Sequence, residues 1–346
     1  MSADHRRGRD VHAVSQRGEA TGEAGDDGPM SSNLKIRWRL FSDESEPTSR
    51  QRGINVYTEL QRQGVDAAQW DGQERADVIV LQYNPRLLDE ALAAAKTVVM
   101  DINDMTFADC YGNHDEMRRA ISRVHAIVAG SPRLEQYLVQ MHPTVRMIEE
   151  AVDPKYFKVK RKKHEGTLQV FWMGMHDNMT FFEQIDGVLD ALAQEFDFLV
   201  NFVCPEQDGS GRSNAEKAAA KPYNAAHHKW TFETVLQQMA LGDLGVAPLF
   251  QNAWSWGKCA NKALSMMAAG LPVAVEDVPS YRAAIEGGVE GYLCFGEGQW
   301  EAALRSLFGE AGVRKEMGKA GKEKAGQYAI EGIARQWAEY LREVSG

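Results

Sequence analysis

The chain has 346 residues, a formal net charge of −10, 44% hydrophobic residues and 25% charged residues. This length suits about two domains, and the composition is that of a soluble globular protein, which excludes an intrinsically disordered chain or a fibre for its bulk. No stretch approaches the roughly 20 apolar residues that a membrane-spanning helix needs. The acidic balance argues against a general nucleic-acid binder, which needs a basic surface.

The cysteines and the amino-terminal segment indicate the compartment. Cys110, Cys204, Cys259 and Cys294 are scattered without a C-x-x-C pair, so we expect reduced thiols in a cytoplasmic protein. Residues 1–33 are nearly devoid of large apolar side chains and lack the apolar core of a signal peptide. We expect a disordered tail there, or a start codon assigned too early, with Met30 as the true start.

From residue 34 onward, short apolar runs alternate with amphipathic stretches. Strands are predicted at 35–41, 77–82, 97–102, 125–129 and 145–148, and helices at 49–63, 85–95, 115–122 and 132–141. Runs such as DVIVLQ and TVVMDI are typical of buried parallel strands. Their alternation with helices predicts a parallel sheet covered on both faces.

Residues 153–166 interrupt this pattern with a basic run and a glycine, which favours a linker. Strands are then predicted at 168–173, 198–204, 244–247, 272–275 and 291–295, and helices at 179–195, 233–240, 260–269, 279–286, 298–307, 313–327 and 330–344. We therefore predict an α/β protein with two Rossmann-like, doubly wound domains, over residues 34–158 and 164–328. Ligands of open α/β sheets bind beyond the carboxyl ends of the strands, so the site is expected in the cleft between the domains.

Familiar nucleotide and metal motifs are absent from the sequence. It has no G-x-G-x-x-G after a strand, no P-loop, no H-E-x-x-H and no G-x-S-x-G. His227 and His228 are adjacent, and adjacent residues do not share a face of a helix or strand. A shared metal site there is therefore not expected, and we predict no metal.

Residues 243–275 read DLGVAPLFQNAWSWGKCANKALSMMAAGLPVAV, which predicts a strand, a loop, a helix, a tight turn and a strand. A helix amino terminus offers free N–H groups and the positive end of the dipole, and Gly257 permits a close backbone approach. Lys258 and Lys262 flank the start of the helix, where lysine is disfavoured. They indicate an anionic partner, or else two surface lysines with their ammonium groups in solvent.

This stretch, followed by GYLCF, resembles the donor-binding domain of GT-B glycosyltransferases of the large retaining family 4, and in particular the subgroup with GK…K…MAAGLPV. SRQRGINVYTELQRQG near the amino terminus, VFWMGMHDNMTFFEQI and HKWTFETV further on, and MGKAGKEKAGQYAIEGIARQWAEYL at the end are similar to further segments of that family, in the same order. The resemblance implies a GT-B fold in which the carboxyl-terminal helix, residues 330–346, crosses back to the first domain. It also assigns Gly174, Gly257, Lys258 and Lys262 to the donor diphosphate.

The sequence departs from the family pattern at three places. The two glutamates that the family carries eight residues apart are Gly257 and Ser265 here. The family's PNGVD is EEAVD, and a basic residue expected after the first strand of the donor domain is missing from GMHDNM. The resemblance places Ser265 and Asn261 at the nucleotide sugar, with Ser265 offering one hydrogen bond to a hydroxyl.

The run VVMDINDMTF places Asp101, Asn103 and Asp104 at the carboxyl end of a buried strand. Acidic side chains are costly there unless they face a cleft, and the family has acidic residues at this place that face the sugar. We take the three as catalytic candidates, with helix capping by Asn103 or Asp104 as the alternative. Arg50 and Arg52 are candidate acceptor or phosphate contacts, or plain surface arginines.

Tryptophans are candidates for stacking on the base or the sugar. Trp230 lies in the segment similar to the family's base-binding edge, and we favour a site-wall role for it. Trp256 is a further candidate for the nucleotide sugar, and for both Trp254 and Trp256 a role in the core remains open.

The resemblance implies an enzyme that moves a sugar from a nucleotide-diphosphate sugar to an acceptor hydroxyl, with retention and with neither a metal nor another cofactor. The acceptor, whether glycan, lipid-linked or small molecule, is left open, as is peripheral contact with the inner face of the membrane. Two alternatives stand beside it. The chain is a non-catalytic GT-B-like partner of an active transferase, with Gly257 and Ser265 marking a decayed site, or a nucleotide-sugar epimerase, which needs no acceptor.

Overall fold

The computed structural model describes residues 34–108, 114–162 and 165–346, and the segment predicted as a tail, residues 1–33, lies outside this range. Two parallel sheets of six strands each form the framework. The first sheet consists of β1 (Lys35–Arg39), β2 (Asp66–Gln69), β3 (Ala76–Gln82), β4 (Ala95–Ile102), β5 (Ala126–Ala129) and β6 (Val145–Met147). The second consists of β7 (Leu168–Met173), β8 (Phe198–Cys204), β9 (Ala225–Lys229), β10 (Leu244–Ala247), β11 (Val273–Glu276) and β12 (Gly291–Cys294).

Helices connect consecutive strands, except between β2 and β3, which a short loop joins. In the first half they are α1 (Pro47–Ser49), a π-helical turn (Arg50–Ile54), α2 (Asn55–Arg62), a 3-10 turn (Pro85–Leu87), α3 (Leu88–Ala94), α4 (His114–Ile121), α5 (Pro132–Leu138) and α6 (Pro154–Phe157). In the second half they are a 3-10 segment (His176–Gln184), α7 (Asp186–Ala193), α8 (Asn214–Ala219), α9 (Phe232–Leu241), α10 (Ala253–Trp256), α11 (Asn261–Ala268), α12 (Pro279–Ala284), α13 (Gly296–Gly309), α14 (Ala311–Ala325), a 3-10 turn (Gly326–Tyr328) and α15 (Ile330–Ser345). Across the described parts of the chain, none of these helices has the length and apolarity to cross a membrane.

The strand order positions the site. The sheets run β2-β1-β3-β4-β5-β6 and β12-β11-β10-β7-β8-β9. In each, the order reverses beside the first strand, between β1 and β3 and between β7 and β10. The loops that leave these strands diverge there and open a crevice at the carboxyl edge. The predicted fold, two doubly wound α/β sheets, is confirmed.

The last helix returns to the first sheet, as expected. The buried face of α15 carries Ile333, Trp337 and Leu341, which pack into the core beside β1. The indole of Trp337 meets that of Trp38 edge-on, with 5.9 Å between the ring centroids. Two indoles buried in this way anchor the carboxyl terminus by apolar burial and aromatic contact.

Two strands were not predicted, and both are edge strands. β2 reads DAAQ and β9 reads AAHHK, so neither has the apolar run of a central strand. β2 pairs only with β1, and β9 pairs only with β8. An edge strand buries less surface than a central one, and its sequence therefore carries a weaker signal.

Candidate functional site

Two adjoining cavities lie at the carboxyl edges of the sheets, with walls from both halves of the chain. The first, here the Lys262 cavity, is lined by Pro47, Arg50, Gln51, Tyr156, Met173, Gly174, Met175, Asn178, Trp230, Asn261 and Lys262. The second, here the Asp104 cavity, is lined by Phe41, Glu46, Thr48, Tyr83, Asp104, Thr106, Met175, Asp177, Asn178, Thr180, Phe181, Trp254 and Lys258. It measures about 590 Å³. Met175 and Asn178 belong to both cavities, which therefore share a wall.

Lys262 supplies the charge of the first cavity. It lies in the first turn of α11, as predicted, where backbone N–H groups lack helical partners. Its Nζ is 5.5 Å from the ring centroid of Trp172 and 5.8 Å from that of Phe181, and no carboxylate of the described residues pairs with it. Burial, reinforced by the charge of Lys258, lowers the pKa of Lys262 to about 7. The arrangement suits an anion that would restore the full charge.

Three more of the predicted residues line the Lys262 cavity. Gly174 follows β7, and a Cβ atom there would come within 2.3 Å of the Trp172 side chain, so the tight turn requires glycine. Trp230 is half-buried and follows β9. The guanidinium of Arg50 reaches the cavity from the π-helical turn, with its Nε 3.6 Å from Oδ2 of Asp153.

Asn261 lines the cavity, and Ser265 does not. Asn261 and Gln51 exchange two amide hydrogen bonds, of 2.6 and 3.1 Å, which join α11 to the π-helical turn. Ser265 is fully buried, and its hydroxyl donates to Oδ1 of Asn261 at 3.0 Å. In this structure Ser265 orients Asn261, one helical turn earlier, and a direct hydrogen bond from Ser265 to a ligand hydroxyl stays a prediction.

Lys258 lies in the Asp104 cavity, apart from Lys262. Its Nζ donates to Oδ2 of Asp104 at 2.9 Å and lies 3.6 Å above the ring of Trp254. The side chains of Lys258 and Asp104 are each about one-quarter exposed. Because the two residues belong to opposite halves of the chain, this ion pair bridges the cleft, and an anionic ligand would compete with Asp104 for Lys258.

Gly257 has a packing role that the sequence did not reveal. A Cβ atom there would lie 2.5 Å from Cγ of Met105 in the other half of the chain. The close approach of the two halves at this point therefore requires glycine. Its carbonyl also accepts a 2.8 Å hydrogen bond from the Ser131 hydroxyl. Trp256 lines neither of these two cavities, and its indole N–H donates to Gln251 at 2.9 Å. Its assignment to the nucleotide sugar stays a prediction.

Asp101 and Arg52 are paired with each other in the interior, whereas the sequence offered Asp101 as a catalytic candidate and Arg52 as an acceptor or phosphate contact or a surface arginine. The Arg52 side chain has no exposed surface, and it contacts Asp101 with an Nη2–Oδ1 distance of 2.6 Å and an Nε–Oδ2 distance of 3.1 Å. Burial opposes the charge of Arg52, but Asp101 outweighs it and raises the pKa of Arg52 above its ordinary value. Asn103 is also buried, and its Nδ2 donates to Oγ1 of Thr48 at 3.1 Å. Of the three acidic-run candidates, only Asp104 lines a cavity.

The departure EEAVD forms a buried acidic pair beside this ion pair. Glu150 accepts a 2.7 Å hydrogen bond from the Cys259 thiol across the two halves. Oε2 of Glu149 is buried without a hydrogen-bond partner among the described atoms. Burial raises the pKa of Glu149 to about 7, although Arg52 opposes the shift. Glu149 is therefore half-protonated near neutral pH, which lowers the cost of an acid in this interior.

Aromatic residues of the Asp104 cavity were largely missed in the sequence. Tyr83, directly after β3, has a positive φ of 50°, a strained conformation for a residue other than glycine. Its ring meets that of Phe41, with 5.4 Å between centroids, and Phe41 is 54% exposed. Phe181 and Trp254 form a second aromatic pair in the lining, with 6.1 Å between their ring centroids. The position of Tyr83 at a strand end was the available signal.

The described residues contain no group of three or more His, Cys, Asp or Glu side chains arranged to hold a metal ion. No known protein-family model matches the chain, and no curated protein sequence matches it either. Solved structures do match. One is a glycosyltransferase from Rickettsia africae, with 12% identity over 90% of this chain and 99% of that chain, and a TM-score of 0.67.

Two further solved structures are similar. HepE from Anabaena in complex with UDP-glucose has 14% identity over 90% of this chain and all of that chain, with a TM-score of 0.67. A mutant of S. aureus TarM, solved with fondaparinux, α-GlcNAc-glycerol and UDP, has 13% identity over 76% of this chain, with a TM-score of 0.58. The chain spans about half of TarM, 55% of its length. At these identities the likeness establishes the architecture: the chain has the GT-B fold.

Proposed function

We propose that the chain is a glycosyltransferase that moves a sugar from a nucleotide-diphosphate sugar to an acceptor hydroxyl. The observation that carries this proposal is the ammonium of Lys262, which no carboxylate in the described part of the chain pairs with and which lies in a cavity at the amino terminus of α11. A diphosphate in that cavity would meet the ammonium and the free N–H groups of the helix. Structures of the same fold, HepE and TarM, were solved with UDP-glucose or UDP, which supports a uridine nucleotide as the first donor to test.

The two lysines then have different tasks. Lys262 holds the diphosphate in the ground state because it is free before the ligand arrives. Lys258 is paired with Asp104 and becomes available as charge develops on the leaving diphosphate. Preorganised cations of this kind stabilise a leaving group without a metal ion, and we propose that the reaction retains the anomeric configuration. Proton NMR of the product and activity in excess chelator test these two points.

Asp104 is the carboxylate that we assign to the transferred sugar or to the acceptor hydroxyl. Asp104→Asn keeps the shape of the side chain but removes its charge. We expect kcat to fall about 100-fold, because a positioned base or charge contributes that much. The Kd of the donor should not weaken, since Lys258 is released from its ion pair. An unchanged kcat, or a Kd weakened in parallel with kcat, would contradict the assignment.

Donor binding is measured by thermal unfolding against a panel of nucleotide sugars. A donor present at 100 times its Kd stabilises the protein by about 2.7 kcal/mol. Lys262→Ala should abolish this shift, whereas Lys319→Ala, which removes an exposed charge on α14, should leave it intact. A protein that responds to no nucleotide sugar is a partner rather than an enzyme. Turnover of the donor without any acceptor would favour an epimerase.

We also propose a peripheral membrane contact in the cytoplasm, on a surface here named the lysine groove. It is lined by Lys155, Lys158, Lys160, Lys162 and α9, and measures about 360 Å³. These lysines are exposed and have no carboxylate partner among the described residues, although the chain carries a net charge of −10. Anionic lipid attracts such a patch by about 1 kcal/mol per lysine. Sedimentation with phosphatidylglycerol vesicles should exceed that with neutral vesicles, and equal sedimentation would refute the contact.

A further inference from the structure

The Asp104 cavity has a chemical character that the proposed donor site does not require. Two aromatic pairs line it, Phe41 with Tyr83 from the first half of the chain and Phe181 with Trp254 from the second. Rings presented in this way accept the apolar faces of a sugar ring. A stacking ligand would cover the exposed ring of Phe41, and the positive φ of Tyr83 is a strained conformation of the kind that clusters at ligand sites.

Apart from the ion pair of Asp104 and Lys258, the charged residues described in the lining of the cavity are acidic. Asp104 and Lys258 neutralise each other. Glu46 and Asp177 also line the cavity, and neither has a cationic partner among the residues that the structure describes. Oδ1 of Asp177 accepts only a backbone N–H, that of Gly209, at 3.1 Å. As far as the described lining goes, the cavity therefore offers two carboxylates to a ligand and no unpaired cation.

Resting on the proposed function, we propose that the acceptor of this enzyme is a glycoside that carries a protonated amine. Its ring stacks between the aromatic pairs, and its ammonium group lies between the carboxylates of Glu46 and Asp177. Cation–π attraction to the same rings adds to the preference. Acceptors with a phosphate or carboxylate meet repulsion from both carboxylates, because like charges brought together cost free energy.

Equilibrium binding of three matched ligands tests this inference. Methyl glucosaminide, methyl glucoside and methyl glucuronide share a ring and differ in bearing an amine, no charge or a carboxylate. Their Kd values are measured by ligand-observed NMR at a pH below the pKa of the amine, with and without UDP. We expect the amine to bind about tenfold more tightly than the neutral glycoside, and the carboxylate to bind more weakly than both.

Variants locate the effect. Glu46→Gln and Asp177→Asn should each bring the ratio of the amine and neutral Kd values closer to one, and Glu297→Gln, an exposed glutamate on α13, should leave the ratio as it is. Equal binding of amine and neutral ligands, or preference for the glucuronide, overturns the inference. Because acceptor binding is read without turnover, a protein that prefers the amine but ignores UDP would refute the proposed donor and not this inference.

Discussion

The charge state of Lys262 makes donor binding dependent on pH. Its ammonium is buried against two aromatic rings without a carboxylate partner, which lowers the pKa of Lys262 to about 7. The side chain is charged below that pH and neutral above it. The diphosphate of a nucleotide sugar keeps its charge throughout this range, so the lysine alone changes the attraction. Affinity is therefore greatest at low pH and is lost as the pH rises through 7.

The size of the effect follows from the pKa. If only the charged form of Lys262 binds, the apparent Kd scales as one plus ten raised to the difference between pH and pKa. Between about pH 6 and about pH 8.5 the donor should bind about 30-fold more weakly, or about 2 kcal/mol. Binding near pH 7 should also take up about half a proton, because the diphosphate stabilises the charged lysine.

Isothermal titration of UDP-glucose measures both quantities, the affinity across the pH range and the proton uptake in buffers of different ionisation enthalpy. Lys262→Arg is the matched control, since a guanidinium stays charged at every pH used and should flatten the profile. The reasoning is refuted if the wild-type Kd is the same at both ends of the range, or if Lys262→Arg keeps the full pH dependence.

Two further predictions concern the contacts behind the cavities. Asp101→Asn removes the carboxylate that Arg52 contacts in the interior and should lower the free energy of unfolding, measured in urea, by about 3–5 kcal/mol. Glu343→Gln, which breaks an exposed ion pair, should cost under about 1 kcal/mol, and equal losses would contradict the buried role. Gly257→Ala should cost about 1–3 kcal/mol by overpacking against Met105, and adding Met105→Ala should recover part of this loss, whereas additive losses would show that the two residues do not collide.

The sequence was sufficient for the framework and for the edge of the sheets at which the two cavities lie. Apolar runs predicted the central strands, and the strand–helix alternation predicted two parallel sheets. The carboxyl-edge rule placed the site in the crevice where the cavities lie. The edge strands β2 and β9 were not predicted, because their side chains are small or polar. Local patterns report burial on both faces, and an edge strand has little of it.

The side chains were harder to place because their partners come from distant parts of the chain. Arg50 and Arg52 were given one shared role, yet residues two apart on a helix point in nearly opposite directions. Arg50 reaches the Lys262 cavity, and Arg52 turns inward to Asp101. Which of the two arginines meets the Asp101 carboxylate depends on how the π-helical turn packs against β4. The periodicity of the sequence does not specify that packing.

The same distinction separates the two lysines. Lys258 and Lys262 are four residues apart, a spacing that suggested one shared anion, but Asp104 from the opposite half already pairs with Lys258. Of the two lysines, Lys262 is the one without a carboxylate partner among the described residues. In the proposed function, a donor that draws Lys258 away from Asp104 must compensate for this ion pair and in return frees the Asp104 carboxylate. The proposed function therefore couples donor binding to the availability of Asp104 through this ion pair across the cleft.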